Sequence, residues 1–253
     1  MSQAASLAHI FRHPIKAHGR EELASVQLFA GEAMPWDRHW AVAHDLSKFS
    51  ADSPAWMPCI NFQRAARSPA LMAIEARFDD RTGVMELRHP ALAPLRFHPE
   101  TEGDRLVEWV RPISPQERFR PVSLVRAPGR AMTDTAFPSI SVKNLASNRA
   151  LGEKVGRDLS IHRWRGNLWI DGLAPWAEMG WIGRRLRIGE VVLEICEPVG
   201  RCRATMANPE TGEVDVDTLE ALKEAVGVQD FGVFGTVLEG GEIRPGDHVE
   251  VLA

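Results

Sequence analysis

Glu197-Pro198-Val199-Gly200-Arg201-Cys202-Arg203-Ala204-Thr205, continuing through Met206-Ala207-Asn208-Pro209-Glu210-Thr211-Gly212, is the stretch whose reading decides the fold. It follows Val191 to Cys196, an apolar run of strand length and composition. Pro198 and Gly200 are read as breaking that strand, which places Cys202 at a turn or at the start of a new strand. Asn208-Pro209-Glu210-Thr211-Gly212 then puts Pro and Gly where a tight turn uses them. A strand, a chemically distinctive turn and a second turn close behind it describe a β architecture with its reactive group at an element end.

The same pattern extends in both directions. Leu186 to Ile195 reads as a hairpin turning at Ile188-Gly189-Glu190, and Phe231 to Leu238 alternates as a half-buried strand does. Gly240-Gly241 and Pro245-Gly246-Asp247 punctuate the last strands. Upstream, Ala41 to Asp45, Leu71 to Arg77 and Leu106 to Val110 are expected strands. Two helices are expected. One spans about 142–155 behind Ser141 as N-cap, and the other about 218–226, where Asp217 and Glu220 have capping-box spacing. The 20 Gly and 17 Pro, spread along 253 residues, favour short elements. The expected fold is mainly β with a few helices (α+β). A boundary in the Pro- and Arg-rich segment 112–128 divides the chain into 1–115 and 116–253.

Bulk properties narrow the function. Thirty basic against 34 acidic residues give a net charge of −4, without the basic excess of a general nucleic-acid binder. No long apolar run calls for a membrane helix, and residues 1–10 lack a secretory pattern. Three cysteines are too few and odd in number for a disulfide framework, so a reducing, cytoplasmic setting is expected. Nucleotide-loop, serine-hydrolase and zinc-protease motifs are absent.

Cys202 is flanked by Arg201 and Arg203. Nearby cations favour the thiolate, the form that binds metal or attacks sulfur. The competing reading is a small buried hydrophobe, which is what many free cysteines are. Cys196 continues a strand and Cys59 lies in Trp56-Met57-Pro58-Cys59-Ile60, and both read as packing. Lys16, Arg38 and Arg165 lie in apolar, Trp-rich surroundings. Each alone reads as a surface cation, and only convergence would make them an anion site. Thr133-Asp134-Thr135-Ala136-Phe137-Pro138 reads as a polar turn before the first helix, able either to receive a phosphate or simply to turn.

Together these motifs resemble the MOSC family, named for the C-terminal part of molybdenum-cofactor sulfurases. His13-Pro14-Ile15-Lys16 and Trp36-Asp37-Arg38-His39-Trp40-Ala41-Val42 resemble the β-barrel domain that precedes many MOSC domains. Arg165-Gly166-Asn167-Leu168-Trp169-Ile170-Asp171-Gly172, then Trp181 with Leu186-Arg187-Ile188-Gly189-Glu190, then 198–212, resemble the MOSC domain itself. The chain departs from the family pattern at Ala17 for Ser, Gly166 for Pro, Val199 for the first Cys of a pair and Met206 for the second Thr. The resemblance implies an N-terminal β-barrel-like domain plus a MOSC β-barrel domain. It also implies a molybdenum cofactor (molybdopterin), with Cys202 as metal ligand or persulfide carrier. Lys16, Arg38, Arg165, Asn167 and Thr205 would lie near the pterin and its phosphate, with Thr135 as a further hydroxyl.

Three functions follow from the resemblance. The first is an oxidoreductase reducing N-hydroxylated small molecules, with Cys202 as the catalytic and metal-binding residue. The sequence has no cluster-type run of cysteines, so a separate electron-transfer protein is expected. The second is a sulfur carrier fed by a partner sulfur donor, and the third a carrier of the finished cofactor. Pyridoxal phosphate, nucleic acid and membrane are not expected.

Overall fold

A computed structural model describes residues 5–252. Seven strands precede the first helix: β1 (Ser6–Arg12), β2 (Glu21–Glu22), β3 (Val26–Leu28), β4 (Ala41–His44), β5 (Glu75–Asp79), β6 (Val84–His89) and β7 (Leu92–Phe97). After α1 (Gly103–Val110) come β8 (Pro121–Val125), β9 (Ile140–Asn144), α2 (Leu145–Val155) and β10 (Leu168–Asp171). The chain finishes with β11 (Arg185–Ile188), β12 (Val191–Gly200), α3 (Thr218–Val226), β13 (Asp230–Glu239), β14 (Gly241–Ile243) and β15 (Val249–Leu252). Among the described residues the fold is mostly strands with three α-helices.

The main sheet curls into a half-barrel with the order β15-β11-β12-β13-β9-β10-β1-β2. Its pairs are antiparallel except β9 and β10, which run parallel. The core of this sheet is filled by alternating residues from both ends of the chain, including Leu7, Ile10, Val142, Ile170, Leu193 and Val233. That inward alternation is the period-2 rule at work. Three strand pairings tie the sequence halves together: β1 lies against β10, β3 against β14 and β4 against β8. A second core gathers Trp40, Leu71, Phe78, Leu87 and Leu106 around the three-stranded sheet β5-β6-β7. A third holds α2 and α3 against stacked Trp164 and Phe231, ring centroids 3.9 Å apart.

Several local expectations are corrected. Leu106 to Val110 is part of a helix, because Leu106, Val107 and Val110 fall on one buried face at helical spacing. Leu71 to Arg77 is divided between a short 3-10 turn, Pro69–Ala73, and β5, since Pro69 sets the turn. The helix expected from 142 begins at Leu145. Ile140–Asn144 is central strand, and Asn144, not Ser141, caps the helix by accepting the Ala146 amide at 2.9 Å. Pro198 does not end its strand. β12 continues to Gly200 through register irregularities at Ile195/Glu197 and Pro198/Gly200, bulges that absorb the missing N–H. The turn 133–138 leads into β9 rather than a helix, so no helix N-terminus stands behind it. No helix among the described residues is long and apolar enough to cross a membrane.

Candidate functional site: a cationic cleft with a thiol at its rim

The elements converge on a cleft of about 230 Å³. Lys16, Arg38, Arg165, Asn167, Cys202 and Thr205 all line it. Thr135 does not. Its hydroxyl is buried between Phe137 O and Ser139 Oγ, each at 2.7 Å, and it is Ser139 that reaches the wall.

Each cation is positioned by backbone. The Ile15–Trp40 bridge holds Lys16, whose Nζ donates to Met132 O at 2.8 Å and pairs with the exposed Asp134. Arg38 donates to Arg165 O at 2.8 Å and to Asn167 Oδ1 at 3.3 Å, and pairs with buried Asp37. Asp37 in turn accepts the His13 amide at 2.8 Å. Burial alone would raise the Asp37 pKa, but Arg38 and His13 outweigh it and hold the carboxyl well below the usual range. Arg38 and Arg165 both have left-handed backbone, φ 48° and 45°, a strained state that the surrounding bonds must hold. Arg165 reaches across the sequence halves to Gly19 O at 3.1 Å and Ile15 O at 3.4 Å.

Arg201 points inward from the end of β12, donating to Trp164 O at 3.0 Å and from Nε to Phe231 O at 3.1 Å. Lys143, in β9, also lines the cleft and donates to Phe231 O at 3.1 Å. Arg165, Arg201 and Lys143 make no ion pair among the described residues, unlike Lys16, Arg38 and Arg163. Burial, then Arg38, lowers Arg165 to about 9. Burial likewise lowers Arg201 to about 9, with Cys202 and Asp134 pulling the other way. Lys143 is fully buried and Arg165 and Arg201 are half-buried, and cations withdrawn from water without counter-charge are costly, so the cleft is shaped for an anion. Two buried polar atoms on lining residues, Thr133 Oγ1 and Arg163 Nε, have no partner among the described residues.

Cys202 is exposed, at the start of the 3-10 turn Arg203–Met206. The buried-hydrophobe reading of this thiol is therefore wrong. Thr205 sits one turn on, its hydroxyl bonded to Cys202 O at 3.1 Å and Thr218 Oγ1 at 2.6 Å. Asn167 serves the scaffold as much as the cleft. Its Oδ1 accepts from Ser141 N and Oγ at 3.1 and 2.9 Å, and its Nδ2 donates to Phe11 O at 3.2 Å.

Sequence reasoning missed Lys143, Arg163 and Cys59 as wall residues. Cys59 lines the same cleft, with Arg64 Nη1 at 3.9 Å from its Sγ. Lys143 and Arg163 carry no local signal, since long polar side chains normally face water. The traces of Lys143 are Gly166 and Gly232, where a Cβ would meet Lys143 Cγ at 2.5 Å and Cδ at 2.4 Å.

Fold and cleft define a two-part β protein with an anion-receptive seam and one exposed thiol beside it. The MOSC domain family matches residues 134–250, and the MOSC N-terminal beta barrel domain matches residues 4–111. The chain belongs to the MOSC family.

Among similar proteins, the molybdenum cofactor sulfurase of Drosophila grimshawi is 35% identical over 92 residues, 36% of this chain and 12% of that protein. That of Caenorhabditis briggsae is 28% identical over 154 residues, 58% of this chain and 20% of that protein. The chain thus spans between 12% and 20% of the length of these relatives. The YuaD protein of Bacillus subtilis aligns over 98% of this chain and 96% of its own at 11% identity and TM-score 0.45. YiiM from Geobacillus stearothermophilus aligns over 45% of this chain and 54% of its own at 18% identity and TM-score 0.36.

Proposed function

We propose that the protein binds a molybdenum–pterin cofactor in this cleft, with the Cys202 thiolate as its protein ligand to the metal, and that it reduces N-hydroxylated small molecules with electrons from a separate donor. The observation that carries the reading is the pairing of an exposed thiol with half-buried Arg165 and Arg201 and buried Lys143, which have no carboxylate partner among the described residues. The donor set fits such a group. A soft thiolate suits molybdenum, and the cations suit a phosphate. No group of three or more His, Cys, Asp or Glu side chains able to hold a metal lies among the described residues, so a metal at Cys202 would draw its other ligands from a cofactor. When bound, the cofactor supplies the redox chemistry.

The chain's own residues bind and orient. Arg165, Arg201 and Lys16 offer N–H donors to a phosphate, Thr133 and Ser139 offer hydroxyls, and Cys202 offers sulfur at the open side where a substrate arrives. Sulfur carriage by Cys202 is the second reading. It is supported by that exposed thiol and by relatives named molybdenum cofactor sulfurase.

Expression in a host that makes the cofactor, followed by elemental analysis and an amidoxime-reduction assay with an artificial donor, tests the proposal. Stoichiometric molybdenum with turnover, both lost in Cys202→Ala, supports it. A protein free of molybdenum that instead accumulates persulfide on Cys202 rejects it in favour of sulfur carriage.

A further inference from the structure

Lys143 has no exposed surface, yet it forms part of the cleft wall. Its Nζ makes one hydrogen bond, to Phe231 O at 3.1 Å. The same oxygen accepts two bonds from Arg201, from Nε at 3.1 Å and from Nη2. A carbonyl oxygen has two lone pairs, so three donors on two side chains overfill it. If both groups were charged, a buried and a half-buried cation would meet on one oxygen.

The groups facing Lys143 from the elements around it are Arg201 at the end of β12, Arg38 in the loop before β4 and Glu178 in the turn Ala177–Trp181. The Phe234 ring lies 5.8 Å away. Glu178 does not close an ion pair with the amine. Its oxygens are taken by Ser147, at 2.8 and 3.0 Å, and by Asn144 at 2.9 Å. Nor is the side chain free to relocate. A Cβ at Gly166 would stand 2.5 Å from its Cγ, and one at Gly232 2.4 Å from its Cδ, so both glycines form its sleeve.

An ammonium so placed is the costly form and an amine the cheaper one. We propose that Lys143 is the proton-exchanging group of the cleft: an uncharged amine until an anionic group enters, which then takes up a proton as its counter-charge. The only bond formed is N–H, with the proton drawn from solvent, and the entering group is a phosphate or sulfate-like dianion. Burial first, and Arg201 next, hold its proton affinity well below that of an ordinary lysine. The proposal rests on the anion-binding part of the proposed function and not on the metal.

The protein has five lysines, so their 13Cε resonances are resolvable in the intact chain, with Lys143→Met giving the assignment. The Lys143 resonance is expected to titrate well below an ordinary lysine, and sulfate, which stays a dianion, should move its midpoint upward. Calorimetry with sulfate at pH 8 in Tris and in HEPES should show uptake of about one proton per anion, lost in Lys143→Met. A resonance that remains that of an ammonium above pH 10 overturns the proposal. So does unchanged proton uptake in Lys143→Met, or a low midpoint that sulfate leaves in place. None of these depends on molybdenum content, so failure here leaves the metal test standing.

Discussion

Asn167 joins three segments that are far apart in sequence. It bonds Ser141 in β9, Phe11 in β1 and Arg38 in the loop before β4. Replacing it with Ala strands a buried backbone amide at Ser141 and a carbonyl at Phe11. Asn167→Ala should therefore lower unfolding free energy by roughly 3 kcal/mol, at 1–3 for each stranded group, with sulfate affinity falling as Arg38 loses its support. Urea denaturation checks it, and an unchanged midpoint would show these bonds to be dispensable. His18 helps set an acid limit, together with His162, lowered to about 4, and His13, both held down first by burial. His18 is fully buried, with Nδ1 on Lys16 O at 2.8 Å and Nε2 without a partner, and burial lowers its pKa to about 4. The unfolded chain takes up this proton near pH 6.5 and the folded chain only near 4, so stability is full above 6.5 and is lost as pH falls toward 4. The loss from this residue is roughly 3 kcal/mol. Glu178, with its carboxyl raised by burial, acts in the opposite direction over part of that range. Urea midpoints at pH 7 and 4.5 should therefore differ sharply, and equal midpoints would refute the assignment. Cys202, Lys16, Arg38 and Arg165 were legible because each sits in a distinctive motif. Lys143 was not, because burial of a lysine is decided by Gly166 and Gly232 across the sheet, not by its neighbours in sequence.

Elements were read most accurately where periodicity and capping agreed. α3 begins where Asp217 and Glu220 mark it, and Asp217 Oδ1 accepts the amides of Leu219 and Glu220 at 3.2 and 3.0 Å. Asp217→Ala should cost about 1 kcal/mol of stability, typical of a lost N-cap. Because Asp217 is outside the cleft wall, sulfate affinity should not change. Thermal melts with paired titrations test both halves, and a loss of affinity would mean that α3 orients Thr205 through Thr218 more tightly than its cap bonds suggest. Errors fell where period and length conflict. Leu106 to Val110 is five residues of Leu, Val, Glu, Trp and Val, a composition shared by strands and by short amphipathic helices. Val142 to Val155 begins as strand β9, and nothing local shows that Asn144 rather than Ser141 makes the cap.

At the scale of the molecule, the cleft exists because the two sequence halves exchange elements. β1 completes the main sheet beside β10, β3 pairs with β14, and Arg165 grips the carbonyls of Ile15 and Gly19. The strands and turns of the C-terminal third were visible in the sequence, but this exchange was not, since pairing between residues 6–12 and 168–171 leaves no local mark. It has a physical consequence for a fragment of residues 116–253. Without β1, the edge of β10 loses its ladder partner and the core loses Leu7 and Ile10, both almost fully buried. An open, apolar sheet edge pairs with whatever strand is available. Such a fragment should therefore aggregate or lack near-ultraviolet circular dichroism when made alone, and become soluble and cooperative in urea when co-expressed with residues 1–115. A lone fragment that unfolds cooperatively would show that the sheet closes without β1, and would place the origin of the cleft in the C-terminal half alone.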